Sequence, residues 1–300
     1  MRFILFLAGG LLAATPAFAQ DTAPQDRAPS SALEVSNPPS TTDETAPPAA
    51  FTISGSAAIL TDYRLRGVSQ TDKNAAAQVS ITIAHKSGFY IATFGSNLAG
   101  WGTFGGANIE LDAIGGYKHS FDGTTLDGGV TWYTYPGGYS ESDVVEFYLK
   151  ASHTLGPASV TAGVAYAPRQ TSLGRIYRNA AQYAAGTPSD LKRWDNLYLT
   201  LDGAVGVPGT PVTAKGHFGY SKGNPGLGPN GTSLSPTGRY ADWSLGVDIV
   251  AYKNLTVNLS YIDTDISNRE SAYLAPNFRK TGTDRSISDP TFLASLTVGF

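Results

Sequence analysis

From residue 51 to the last residue, apolar and polar positions alternate with a period of two. Val79, Ile81 and Ile83 interleave with Gln78, Ser80 and Thr82; Ile109, Leu111 and Ala113 interleave with Asn108, Glu110 and Asp112. The same holds for Val145, Phe147 and Leu149 against Glu146, Tyr148 and Lys150, and for Leu255, Val257 and Leu259 against Thr256, Asn258 and Ser260. Successive side chains of a strand point to opposite faces, so this period predicts strands with one apolar and one polar face. Twelve such segments are predicted, at 52–67, 76–85, 88–98, 106–120, 125–135, 143–155, 158–167, 193–204, 211–221, 239–252, 254–264 and 289–300. Most reach the nine to eleven residues that a tilted strand needs to cross a bilayer.

The connections alternate in length. Lys86-Ser87, Phe121 to Thr124, Gly156-Pro157, Val205 to Thr210 and Lys253 are short; those around 68–75, 99–105, 136–142, 168–192, 222–238 and 265–288 are longer. Short turns at one end and long loops at the other are what an up-and-down membrane barrel with both termini in the periplasm requires. The expected fold is therefore all-β: a closed antiparallel transmembrane β-barrel of about twelve strands with short periplasmic turns and long extracellular loops. The final strand places Phe292, Ala294, Leu296, Val298 and Phe300 on one face. An alternating last strand closing on an aromatic resembles the signal that barrel-assembly machinery reads, carried here by Phe292, Leu296, Val298 and Phe300.

Strand parity also assigns charges. In the first segment Ile53, Ala57, Ile59 and Leu65 are expected to face lipid, which turns Asp62, Arg64 and Arg66 inward. Similar parity turns Glu110, Asp112, Glu146, Lys150, Asp202, Lys215, Asp242 and Asp248 into the lumen, because a charge on the lipid face at mid-membrane costs several kcal/mol. Acids outnumber bases in this pore-lining set, which points to a weak cation preference if the lumen is open. The alternative is a lumen blocked by side chains or loops, with the barrel acting through its surface. Aromatic residues Tyr63, Tyr90, Trp101, Tyr117, Trp132, Tyr133, Tyr135, Tyr166, Trp194, Tyr220, Tyr240, Tyr252 and Tyr261 lie mostly near predicted strand ends, as interfacial girdles would. The rival reading is that strands are simply rich in aromatics.

Composition narrows the class further. The chain of 300 residues is 41% hydrophobic and only 15% charged, so it is neither a disordered chain nor a long coiled coil. It has no Cys, which removes disulfides, thiolate metal sites and cysteine nucleophiles. A net charge of −3 gives no support to nucleic-acid binding. Met1-Arg2, the apolar run Phe3 to Leu12 and Ala17-Phe18-Ala19 form the pattern of a signal peptide over 1–19, cleaved before Gln20. Residues 20–50 are Pro-rich and lack aromatics, which predicts a disordered periplasmic tail ahead of a barrel over 51–300. Export, no apolar stretch long enough for a spanning helix, and an alternating chain together place the protein in the Gram-negative outer membrane.

Candidate chemistry is sparse. His85, His119 and His153 fall at lipid-facing parity near the periplasmic ends of different strands, and His217 points inward alone. No His converges with an inward Ser and an orienting acid, so neither a serine hydrolase nor a His metal site is predicted, and no cofactor is called for. Glu110 and Asp112 share a face, a pairing too common in lumens to claim acid–base catalysis. The loop 168–192 carries a basic cluster, Arg169, Arg175, Arg178 and Lys192. It could fold in as a constriction, bind lipopolysaccharide phosphates, or be a plain solvated loop.

Several runs carry a family resemblance: Ser54-Gly55; Thr61-Asp62-Tyr63-Arg64-Leu65-Arg66-Gly67-Val68-Ser69-Gln70-Thr71-Asp72-Lys73; Ala77-Gln78; Ser87-Gly88-Phe89-Tyr90; Ser96-Asn97; Gly115-Gly116-Tyr117; Tyr133-Thr134-Tyr135-Pro136-Gly137; and Glu146-Phe147-Tyr148. Together they resemble the TorF-type porin family (Gcw_chp), proteobacterial outer-membrane proteins of uncertain function. The likeness is good over 51–167 and rests on pattern more than motif beyond it; the tail 20–50 is an addition. It implies an outer-membrane barrel and a porin-like role. Within the most specific run, Arg64 and Arg66 are expected to pair with Glu110, Asp112 or Asp62, with Gly67 turning the chain; a packing or assembly motif is the equal alternative. The expected function is passive diffusion of small polar solutes or ions, with outer-membrane lipid, lipopolysaccharide and the barrel-assembly machinery as partners and no enzymatic activity.

Overall fold

The computed structural model describes residues 50–103, 106–139, 141–174, 180–187, 193–225, 233–274 and 278–300. The signal peptide expected over 1–19 and the tail expected over 20–50 lie outside the described residues, apart from Ala50. The strands are β1 (Phe51–Leu60), β2 (Arg64–Leu65), β3 (Val68–Ser69), β4 (Ala76–His85), β5 (Phe89–Asn97), β6 (Ile109–Phe121) and β7 (Thr124–Thr134). They continue with β8 (Val144–Leu155), β9 (Ala158–Gln170), β10 (Trp194–Gly206), β11 (Val212–Gly223), β12 (Arg239–Tyr252), β13 (Leu255–Thr264) and β14 (Thr291–Gly299). All but β2 and β3 form one closed antiparallel barrel in which each strand pairs with its sequence neighbours and β1 pairs with both β14 and β4.

Closure follows from the lack of water in hydrocarbon, where an unpaired strand edge cannot be solvated. The seam is long on one side, with Phe51↔His85 through Leu60↔Ala76, and shorter on the other, with Ser56↔Gly299 through Leu60↔Ser295. The C-terminal residue completes it: Phe300 N donates to Gly55 O and Gly55 N to Phe300 O, both at 2.9 Å. Gly55 is required by this approach, since a Cβ there would stand 2.6 Å from both the Phe300 ring and the Ser80 carbonyl.

The expected end-to-end asymmetry is present. Connections at 86–88, 122–123, 156–157, 207–211 and 253–254 are tight turns at the end that holds both chain termini, and the long connections gather at the other. Two short helices, α1 (Ala180–Ala185) and α2 (Asn268–Tyr273), lie in the long loops. Helix α2 starts on a capping box in which the Ser267 side chain accepts from Glu270 N and the Glu270 carboxylate accepts from Ser267 N. The outer wall is apolar, with Ile53 68%, Leu245 67% and Phe292 83% exposed. An apolar surface wrapping a whole barrel is a lipid-facing surface rather than a water-facing one.

Three expectations change. The first strand does not run over 52–67: it leaves the wall after Leu60, and Leu65, expected toward lipid, is buried in β2. The aromatic girdle is smaller than expected, because Tyr63, Tyr90, Trp101, Tyr133, Tyr135 and Tyr240 are buried; Tyr117, Trp132, Tyr166 and Tyr252 face outward. The hydroxyls of Tyr63, Tyr90, Tyr133 and Tyr240 find partners inside, which hydrocarbon does not offer. Strand β9 also runs three residues further than expected, to Gln170, whose side chain bonds both Val145 N and Val145 O.

Because Gly55 admits no side chain, Gly55→Val is expected to push Phe300 off the seam and destabilise the barrel by about 1–3 kcal/mol, the usual range for overpacking. Urea unfolding of bilayer-refolded protein checks this; an unchanged midpoint would mean the seam does not depend on that contact.

Candidate functional site

Between β1 and β4 the chain turns into the barrel and forms a small hairpin of β2 and β3, with register Arg64↔Ser69 and Leu65↔Val68. Its two-residue turn is Arg66-Gly67, both with positive φ, 51° and 77°, as a tight hairpin turn of matching twist demands. A Cβ at Gly67 would also meet Thr264 Cγ2 at 2.4 Å. A non-glycine residue in the left-handed region costs of order 1–3 kcal/mol, so Arg66 must be held by its surroundings. Its carbonyl accepts from Tyr240 Oη at 2.9 Å, and its guanidinium lies 4.2 Å above the Tyr198 ring. Its Nη2 stands 2.8 Å from both Oε1 and Oε2 of Glu146. Those partners belong to β12, β10 and β8, the last two on the wall facing β1, so the hairpin reaches across the lumen.

Asp62 organises the base of this inserted segment. One carboxylate oxygen accepts from Arg64 Nε at 2.9 Å; the other accepts from Ser69 Oγ at 2.5 Å and Thr71 Oγ1 at 3.2 Å. Arg64 Nη1 donates to the carbonyls of Gly67 and Asp289, both at 2.9 Å. Tyr63 Oη donates to Glu110 Oε1 at 2.9 Å. Arg64 and Arg66 are 0% and 1% exposed. The expected Arg64–Asp62 pair is present, but Arg66 pairs with Glu146 rather than with Glu110 or Asp112.

Lys215 forms an ion pair with Asp248, which also accepts from Asn258 Nδ2 at 2.8 Å. His217 is not alone: Nδ1 lies 2.6 Å from Asp202 Oδ1, and Nε2 lies 3.1 Å from Asp242 Oδ1 and 3.0 Å from Tyr198 Oη. Glu110 and Asp112 are both buried behind the hairpin. Sequence reasoning passed over Lys118 and Asp127, which face inward 3.9 Å apart, and the lumen tyrosines; Asp127 accepts from Tyr90 Oη at 2.7 Å, and the Tyr90 and Tyr148 hydroxyls touch. Parity alone could have found Lys118 and Asp127. Tyr90 is read as interfacial from its place near a strand end, whereas Tyr148 shares the polar face of Glu146 and Lys150.

Outside the lumen, His85 and His153 bond Ser87 and Thr124, and His119 lies between Tyr117 and Phe121. Arg169 is exposed near the end of β9, while Arg175, Arg178 and Lys192 lie outside the described residues. Phe292, Leu296, Val298 and Phe300 face outward.

A family model described as a bacterial protein of unknown function (Gcw_chp) matches residues 44–300. The chain belongs to the Gcw_chp family. This Gcw_chp barrel is similar to solved porins in fold: the NanC porin at 8% identity and a TM-score of 0.49, covering 83% of this chain and 99% of that one; the KdgM porin at 10% and 0.45, covering 82% and 98%; and an outer membrane channel from Pseudomonas putida F1 at 11% and 0.42, covering 85% and 96%. The comparison with curated proteins gives no match.

Removing one partner of a buried ion pair strands the other charge, at a cost of about 3–5 kcal/mol. Arg66→Ala and Glu146→Ala are each expected to lower unfolding free energy in that range, and the double variant to cost little more than either single one. Strict additivity in the double-mutant cycle would mean the two groups do not interact.

Proposed function

We propose that this barrel is a narrow outer-membrane channel for passive diffusion of small polar solutes or ions, with 61–75 as its constriction. The observation that carries this is a continuous polar inward face around the barrel. Inward groups at the long-loop end, such as Asp62, Arg64, Arg66, Glu110 and Asp242, are buried. Toward the short turns Lys118, Asp127, Lys150, Thr161, Asp202 and Asp248 are half-exposed, while Thr82, Ser159, Lys215 and Thr256 are buried. A polar, partly hydrated interior inside an apolar exterior is the arrangement of a solute path rather than of a packed core. The TorF-type resemblance of the 61–73 run supports the same role.

The weak cation preference is assigned to the constriction, where Glu110 and Asp112 lie beside the inserted segment. In the inner half the charges are close to balanced, with Lys118 against Asp127 and Lys215 against Asp248. Export through a cleaved signal over 1–19, a free tail over 20–50, and recognition of Phe292, Leu296, Val298 and Phe300 by the assembly machinery complete the proposal. Outer-membrane lipid and lipopolysaccharide would surround it.

A hydrolase is disfavoured by the His217 geometry. Asp202 is placed as an orienting acid, but Nε2 faces Asp242 and Tyr198. Ser244, the cross-strand neighbour of His217, is buried with an unbonded hydroxyl. A second reading, a sealed barrel acting through its loops, is favoured by the depth of the hairpin and by the apolar contact of Trp101 with Phe278 over the long-loop end, centroids 5.1 Å apart.

Planar-bilayer recordings in asymmetric salt test the proposal, comparing the natural chain with a variant whose residues 62–73 are replaced by a short Gly/Ser turn. The channel reading expects small discrete steps from the natural chain, larger steps from the variant, and a reversal potential of cation-selective sign. Steps from the variant alone would favour the sealed barrel. Silence from both, in heat-modifiable and therefore folded protein, would overturn the channel.

A further inference from the structure

Three of the four histidines stand on the outer wall, on β4, β6 and β8. His85 ends β4, and His119 and His153 each lie two residues before the end of β6 and β8. All three strands end there in short turns, so the imidazoles form an arc at the short-turn rim of the lipid-facing wall. The arc is one-sided, because β9 to β14 carry only His217, which faces the lumen. Other rings continue it. Phe51 and His85 have centroids 4.8 Å apart, and Phe89 and Tyr117 4.9 Å. The His119 ring stacks on Tyr117 at 6.4 Å and meets Phe121 at 5.9 Å. Rings with an apolar body and a polar edge settle where hydrocarbon gives way to headgroups, so this rim lies at headgroup level.

The polar edges left over are donors. Nδ1 of His85 accepts from Ser87 N at 3.3 Å and lies 2.7 Å from Ser87 Oγ. A ring nitrogen that accepts carries no proton, so the N–H of this imidazole is on Nε2. Nδ1 of His153 is held in the same way, 2.9 Å from Thr124 Oγ1. Neither Nε2 has a hydrogen-bond partner among the described residues. The charged side chains of the adjoining turns are Lys86 and Asp122, both exposed. At headgroup level the anionic acceptors are phosphodiester oxygens, and a charged acceptor makes the stronger hydrogen bond. We propose that His85, His119 and His153 form a binding arc for the phosphate groups of phospholipids in the leaflet at the short-turn end. His85 and His153 donate from Nε2 and His119 from its exposed edge, while the neighbouring aromatic rings seat the acyl chains. The proposal rests on the reading of the wall as membrane-spanning, not on conduction.

Solid-state NMR tests the arc through nitrogen–phosphorus dipolar dephasing. The full chain, with histidine isotopically labelled at both ring nitrogens, is refolded in phosphatidylglycerol vesicles in phosphate-free buffer, so that lipid holds all the phosphorus. The Nε2 signals of the rim histidines are expected to lose intensity. Nδ1 of His85 and His153 should lose less. His217, clasped by Asp202 and Asp242 in the lumen, should keep its full intensity and serves as the internal reference. His85→Gln and His153→Gln, made singly, should each remove one dephased signal and leave the others; heat-modifiable mobility on gels confirms that each variant is folded. No dephasing at any rim histidine of the folded chain, or dephasing of His217 as strong as theirs, would overturn the arc. Equal dephasing by inorganic phosphate, with the protein in galactolipid vesicles, would mark a general anion site and overturn the lipid assignment. Dephasing in a barrel that never conducts would keep the arc and remove the channel; conductance without dephasing would do the reverse.

Discussion

A membrane barrel is bounded by hydrocarbon outside and a narrow polar space inside, so a charge buried by the inserted segment must be matched across or along the lumen. Lipid cannot solvate such a group, and burial keeps water from it. The constraint explains why Asp62, Arg64 and Arg66 stand where they do. Three charged residues in a short run at the end of a wall strand cannot go outward. They fold in, and each finds a partner: Asp62 and Arg64 find one another, and Arg66 finds Glu146 on the far wall.

The inserted hairpin then becomes the feature that the outer half of the molecule is built around. Tyr240 and Tyr198 turn inward to hold Arg66, Tyr63 reaches Glu110, and Ser69 N donates to Ile287 O in the last long loop at 3.0 Å. Strain at the Arg66-Gly67 turn is offset by these contacts rather than relieved. Toward the short turns the pairs are local and between strand neighbours, as in Lys215–Asp248. One barrel thus has two interiors: an outer half braced across the lumen and an inner half paired along its wall.

Most of the wall was legible because period two is a local property. The ranges read for β4 and β12 coincide with the structure, and the others differ at their ends by a few residues. The first strand was overread because its alternation continues through Asp62, Arg64 and Arg66; alternation tells inward from outward, not wall from lumen. Gly67 was recognised as a turn, yet a turn alone does not say which way the chain goes. Arg64 and Asp62 are two residues apart, so their pairing was readable. The pairing of Arg66 with Glu146 depends on the stagger of strands around the barrel, which no local pattern encodes. The clasp of Asp202 and Asp242 on His217 escaped notice for a similar reason, although Asp202 is its direct cross-strand neighbour.

The central claim is that 61–75 resides inside the barrel, braced by Arg66. Amide hydrogen exchange of the bilayer-refolded protein tests it most directly, at Ser69 and Gln70. Their N–H groups donate to Ile287 O at 3.0 Å and Tyr63 O at 2.7 Å within the lumen. Protection close to that of the β4 and β6 amides is the predicted result. Exchange at the rate of a free surface loop would place the segment outside and contradict the account.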